Sequence, residues 1–432
     1  MRIAYVTAGA GTMVCGSCLR DNTLAAALID AGHNVLLIPA YTPTVTDERN
    51  VSMRQVFLGG INIYLQHHYR LFRKMPALIN RMLDAPALLR LAAKWSVSVE
   101  PAELGALTVS MLQGAEGALS REVSKLVDFI AELAPDVVNI PNSLLISLAS
   151  AIKRKSDVPV CCTLQGEDLF LNGLREPYRS ESLRWIRKHS ASVDSFLAVS
   201  SFAAIMMSEY LGIDAAKIRV VPLGIDLRGF DRRQGSDPEP FTIGYLARIA
   251  PEKGLRELCE AYHCLRQRPE MPPSRLCAAG YLGPENRRYF AGIQKQLATW
   301  GLAGEFKYHG ELDRAGKIEF LKSLSVLSVP APYKDPKGLF LLEAAAAGVP
   351  VVQPRHGAFT EIVETTRGGI LVEPGKPEHL ADGLYEMWRN AAKRRQLAAA
   401  GYEQVRIHYG AAQMAEKAVQ AYSSVLRSGL AR

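Results

Sequence analysis

The stretch FTIGYLARIAPEKG runs from Phe241 to Gly254. Its first half is a short apolar run rich in β-branched and aromatic residues. Its second half sets Arg248 and Lys253 on either side of Pro251, and a helical pattern follows. A buried strand, a turn and a helix form the repeating unit of parallel α/β architecture. In such sheets ligands gather on the loops beyond the carboxyl ends of strands, where these two cations lie. A diphosphate suits them, because arginine offers a planar two-pronged donor and lysine a compact charge. Two cations near a turn, taken by themselves, more often form a solvated face.

Reading outward, the same alternation fills the chain. Six strand patterns precede the stretch: RIAYVT, NVLLIPA, DVVNI, VPVCCTL, SFLAVS and IRVVPLG. Six more begin with it: FTIGYLAR, RLCAAG, EFKYHG, VLSVPAP, PVVQPR and GILVEP. Between the two sets lies DRRQGSDPEP, a polar run of turn formers that reads as a linker. The expectation is two doubly wound α/β domains, residues 1–225 and 226–407. A C-terminal helix over about 408–432 is expected to pack back onto the first.

A chain of 432 residues is too long for one ordinary core, which agrees with two domains. No apolar run reaches the roughly 18–20 residues of a spanning helix, and the amino terminus reads as a strand rather than a signal peptide. Seven scattered cysteines indicate reduced thiols and a cytoplasmic setting. Cys15 and Cys18 form a C-x-x-C without a second pair at metal-ligand spacing. Small residues in a tight loop are the favoured reading, ahead of a redox pair or zinc. The net charge is +8, and residues 61–95 carry six cations against one anion. That basic amphipathic stretch suits either a solvated helix pair or an anionic membrane surface at the inner face. No base-reading motif accompanies it, so nucleic acid is not expected.

Two further constellations carry chemistry. TAGAGTMVCGSCLRDN places Gly9, Gly11 and Gly16 after the first strand and ahead of a helix expected over about Ser17–Ala31. Glycines there permit close backbone approach, and free helix amides favour an anion. The spacing is not that of a dinucleotide fingerprint. Later, YKDPKGLFLLEAAAAGVPVV opens a helix near Gly338. It sets Asp335 ahead of that helix and Glu343 inside it. An acid on so apolar a helix needs a polar partner, either ribose hydroxyls or a cation on a neighbouring helix.

Taken in order, LAAALIDAGHNV, PDVVNI, FLAVSSFAA, IRVVPLGIDLRGF, ARIAPEKG, GLFLLEAAAAGVPVV and GAFTEIV through GGILVEP resemble the retaining nucleotide-sugar glycosyltransferases of family 4. The resemblance spans essentially the whole chain. It implies the GT-B fold, two Rossmann-like domains facing a central cleft. It also implies transfer of a sugar from a nucleoside diphosphate to an acceptor with retained anomeric configuration. By the same resemblance, Arg248 and Lys253 bind the donor diphosphate, Glu343 the ribose and Asp335 the sugar. Gly338 and Leu339 offer backbone amides, with Gly310 and Gly11 also on the donor side. Gln165, Gly166 and Glu167 fall on the acceptor or sugar side. No metal and no cofactor is expected, and the acceptor class (carbohydrate, lipid-linked or small molecule) stays open.

Three positions depart from the family pattern. Asp335 replaces a glutamate, Gln165 replaces a histidine, and His356 stands where a loop glycine is usual. A catalytically silent sugar- or nucleotide-binding subunit is therefore one alternative. A GT-B epimerase or phosphorylase is the other.

Overall fold

The computed structural model describes residues 1–9, 15–58, 104–231 and 237–430. The basic stretch 61–95, Gly11 and residues 232–236 of the linker lie outside them. The chain divides into two compact units, Met1–Leu223 with Met414–Arg432, and Gly224–Gln413.

The first unit carries β1 (Arg2–Thr7), β2 (Asn34–Pro39), β3 (Val137–Ile140), β4 (Val160–Leu164), β5 (Ser195–Ala198) and β6 (Ile218–Val220). They form one sheet in the order β2-β1-β3-β4-β5-β6, and every pairing is parallel. The second unit carries β7 (Thr242–Leu246), β8 (Arg275–Ala279), β9 (Phe306–Tyr308), β10 (Val326–Leu327), β11 (Val351–Pro354) and β12 (Gly369–Val372). Its sheet runs β12-β11-β10-β7-β8-β9, also wholly parallel. Helices cover both faces, so central strands are apolar throughout rather than alternating. All five residues of β7 and of β4 are buried.

Each sheet reverses its winding once. In the first, β1 lies between β2 and β3; in the second, β7 lies between β8 and β10. Read from β9, the second sheet has the 3-2-1-4-5-6 order of nucleotide-binding folds, with its crevice between β7 and β10.

The twelve strand patterns of the sequence all appear as strands, several shortened at their ends and one cut to two residues. In VLSVPAP only Val326 and Leu327 are ladder residues. Pro330 and Pro332 have no N–H to donate, so the chain leaves the ladder there and becomes loop. The first helix is Gly16–Asp30. The last, Ala411–Leu430, brings Tyr422 into the first unit's interior, fully buried beside Tyr5 and Arg20.

Candidate active site

In the second unit, the loops after β7 and β10 meet at the reversal point. Gly254 allows this contact. Its φ is +79°, and a Cβ there would stand 2.2 Å from the Pro330 carbonyl oxygen. Only glycine permits both the left-handed backbone and the close approach. The join carries a side-chain contact as well: the Lys253 ammonium pairs with Asp335 Oδ2. Asp335 Oδ1 accepts the Lys337 N–H at 2.9 Å, and the Asp335 carbonyl accepts the Ala358 N–H at 2.9 Å. Its side chain is 3% exposed. Burial alone would raise the Asp335 pKa, but the charges and hydrogen bonds of Lys253 and, behind it, Lys337 together outweigh it and hold the carboxyl below its usual range.

Arg248 leaves the same strand end. The Tyr245 hydroxyl donates to its carbonyl at 3.0 Å, and its guanidinium pairs with Glu252 one turn on. With 39% of its side chain exposed, it retains donors for an external anion. The loop after β10 enters the helix Leu339–Ala346 through Gly338, whose φ of +67° is again left-handed. The first turn of such a helix presents backbone amides that favour negative charge. Arg248, Lys253 and this helix start all belong to loops at the carboxyl edge of β7 and β10, which suits a diphosphate.

Glu343, inside that helix, is buried and pairs with Lys317 of the helix Arg314–Lys322 at 2.6 Å. The sequence left a ribose or a cation open as partner; a cation is present. Gly310 follows β9 with φ +75°, open space around its Cβ direction, and its carbonyl accepting the Gly280 N–H at 2.8 Å. A pocket of about 480 Å³ opens nearby on the same unit. Pro330, Lys334, His356, Glu257 and Leu380 help line it. Burial lowers the His356 pKa and raises that of Glu257.

The first unit holds a second polar centre, also at the sheet's reversal point. Gln165, 4% exposed, turns its amide nitrogen inward to Asp21 Oδ1 at 3.3 Å and the Pro141 carbonyl at 3.0 Å. Glu167 accepts the backbone N–H groups of Ser143 and Gln165, each at 3.1 Å. Gly166 joins them with φ +89°. These three residues thus brace the loops after β3 and β4 from inside. Asp21 also accepts the Tyr5 hydroxyl at 3.0 Å and the Thr7 hydroxyl at 3.1 Å, and pairs with Arg20. Burial pushes its pKa up to about 6, against the pull of Arg20. Arg20 Nε and Nη2, Asn139 Oδ1 and Gln165 Oε1 are buried without hydrogen-bond partners.

Sequence reasoning missed Arg20 and Asp21. The run Arg20-Asp21-Asn22-Thr23 is wholly buried, although helical periodicity sends part of any four-residue polar run to solvent. The only signal was the lack of an apolar partner face for it. Lys317 was missed because its partner lies 26 positions away.

Among the described residues, no three or more His, Cys, Asp or Glu side chains cluster as a metal site would require. Nor is any helix among them long and apolar enough to cross a membrane.

Two doubly wound parallel sheets, each with polar side chains at its reversal point, define a two-domain α/β protein of the GT-B class. Comparison agrees at the level of fold. HepE of Anabaena, solved with UDP, superposes with a TM-score of 0.67 at 17% identity, covering 98% of this chain and all of that one. Sucrose-phosphate synthase of Thermosynechococcus elongatus gives 0.72 at 16% identity, covering 99% of each chain. The sequence matches "Glycosyltransferase Family 4" over residues 110–228 and "Glycosyl transferases group 1" over residues 228–404. The chain belongs to the GT-B glycosyltransferases of family 4. Phosphatidyl-myo-inositol mannosyltransferase of Mycobacterium tuberculosis is 31% identical over 241 residues, 54% of this chain and 60% of the relative. D-inositol 3-phosphate glycosyltransferase of a Nocardioides species is 29% identical over half of each chain. The chain thus spans about half to three fifths of the curated relatives it matches.

Proposed function

We propose that this protein transfers a sugar from a nucleoside diphosphate to an acceptor, with retained anomeric configuration. The observation that carries the reading is the meeting of Lys253 with Asp335 where β7 and β10 part, beside Arg248 and the start of the helix Leu339–Ala346. A leaving diphosphate collects negative charge at such a point. Lys253 keeps two of its three N–H donors after pairing with one carboxylate oxygen, and Arg248 supplies a planar fork. Stabilisation of developing charge by preplaced donors is commonly the largest catalytic term. In this reading Arg248, Lys253 and the amides of Gly338 and Leu339 neutralise the diphosphate, so no metal is required.

Asp335 accepts a hydroxyl of the sugar, and Glu343 reaches the ribose beside its Lys317 partner. Gly310 lies on the nucleotide side. Gln165 and Glu167 hold the acceptor-side loops in place. The activities for which the relatives are named favour a mannosyl donor and an inositol-containing acceptor. A lipid-linked acceptor agrees with the basic stretch 61–95 as a contact for an anionic membrane surface.

The test is incubation of the purified chain with a panel of nucleoside-diphosphate sugars and inositol or lipid-linked acceptors, in the presence of a chelator. Products are read by mass and by anomeric proton NMR. A retained-configuration glycoside made under chelation supports the reading. Donor binding without product would identify a silent subunit, isomerised sugar without acceptor an epimerase, and phosphate-dependent cleavage a phosphorylase.

A further inference from the structure

The C-x-x-C of the first unit has a geometry that its sequence did not reveal. Cys15 is the N-cap of the helix Gly16–Asp30, with extended backbone at φ −104° and ψ 130°. The Leu19 N–H closes onto the Cys15 carbonyl at 2.8 Å, so the first turn is formed. An N-cap in that conformation swings its side chain over the turn toward the third helical residue, the path by which Ser or Thr caps reach that position. Here the third helical residue is Cys18. The Cys15 side chain makes no capping hydrogen bond to the backbone; nearness to Cys15, and then burial, push the Cys18 thiol well above its usual range. Cys18 is 2% exposed, whereas Cys15 is only half-buried. Cys18 also contacts the backbone of Gly9, so the pair sits where the glycine-rich loop joins the helix.

None of the other cysteines is arranged this way. Cys161 and Cys162 are consecutive on β4 and point to opposite faces of its sheet. Cys259 and Cys277 are buried, and Cys264 is half-buried.

We propose that Cys15 and Cys18 are a reversible dithiol–disulfide pair, a modification site open to small-molecule disulfides such as oxidised glutathione. Cys15 is the attacking sulfur and Cys18 the resolving one. The Cys15 thiolate attacks one sulfur of glutathione disulfide, whose S–S bond breaks and releases one glutathione. Cys18 then gives up its proton and attacks the Cys15 sulfur, displacing the second glutathione. The protein loses two protons and two electrons, and the oxidant takes them up as two thiols. The more accessible attacking sulfur and the enclosed resolving one follow the logic of thiol–disulfide exchange at a helix start. The proposal does not depend on the transferase reading.

The test uses the full chain, incubated with oxidised glutathione and then alkylated under denaturing conditions for peptide mapping. The peptide holding Cys15 and Cys18 should become lighter by two hydrogens and take no alkyl group. The other cysteines should alkylate as free thiols, with Cys264 modified at least about tenfold more slowly than the pair closes. Dithiothreitol should restore both thiols. Cys18→Ser should stop the reaction at a mixed disulfide on Cys15, while Cys15→Ser should leave Cys18 unmodified. Should either variant fail to fold, the wild-type peptide map decides alone. Alkyl groups on both cysteines after oxidation, or a wild type that accumulates the mixed disulfide, would overturn the proposal.

Discussion

Lys253 and Asp335, 82 positions apart in sequence, form an ion pair that ties the loop after β7 to the loop after β10. The pair is unequal in burial, with Lys253 21% and Asp335 3% exposed. Removing the lysine strands a buried carboxylate, whereas removing the carboxylate leaves an ammonium that solvent can still reach. Lys253→Ala should therefore lose about 3 kcal/mol, the low end for broken buried pairs, and melt roughly 6–12 °C lower. Asp335→Asn should cost much less and should recover most of the loss when added to Lys253→Ala. Additive melting shifts in that double-mutant cycle would show that the two do not support each other. The folded pKa of Asp335 is depressed, so this stabilisation is present above about pH 4 and disappears as pH falls through the lower folded value.

Arg248 separates function from stability more cleanly. Its partner Glu252 lies one turn away, both are partly exposed, and exposed pairs of this kind contribute little. Arg248→Ala should leave the melting temperature nearly unchanged while cutting turnover by ~10²-fold or more, the loss expected for one preplaced donor. Near-normal turnover would remove Arg248 from the site.

Glu343 stands in two relationships, one observed and one proposed. Its pair with Lys317 predicts that Glu343→Gln lowers stability, since a buried ammonium loses its counter-charge. The ribose role predicts weaker binding of free nucleoside diphosphate, by ~1.5–3 kcal/mol. The Lys317→Met, Glu343→Gln double variant removes the buried charges together and should regain stability but not affinity. If calorimetry finds the affinity of every variant unchanged, Glu343 serves the ion pair alone.

Arg248 and Lys253 were legible because a strand, a turn and two cations fall within 14 residues, and Asp335 because it precedes a helix marked by glycine. The parallel sheets were legible for the same local reason: each buried strand is a continuous apolar run. Pairing across long separations was not. Nothing in the sequence near Glu343 points to Lys317, and nothing near Gln165 points to Asp21. The chain reversal that brings such groups together is a property of strand order, which local pattern does not encode. The polar run at Arg20 misled for a further reason. Its burial depends on Tyr5 and Thr7 of β1 and Gln165 of the loop after β4, hydrogen-bond donors from two other segments.

Asp21 supplies a pH-dependent test of that buried network. Facing it are Tyr5 and Thr7 from β1, Arg20 from its own helix, Gln165 from the loop after β4, and Tyr422 from the last helix. Burial is the largest influence and disfavours the anion; Arg20 and the hydroxyl donors only partly offset it, leaving a pKa of about 6 against an ordinary 3.8. Between those values the folded state holds a proton that the unfolded state has lost. Stability therefore falls as pH rises through that window, and the full penalty is present above about pH 6. At 1.36 kcal/mol per pH unit the penalty is on the order of 3 kcal/mol at pH 7. Asp21→Asn cannot ionise, so its stability relative to wild type should improve by about that amount between pH 4 and pH 7. Its amide can still accept from Tyr5 or Thr7, which keeps the comparison close to one of charge alone. Urea unfolding of both proteins at the two pH values gives the difference directly. A gap between the two proteins that does not change with pH would mean that Asp21 is ionised throughout, held by Arg20 against its burial.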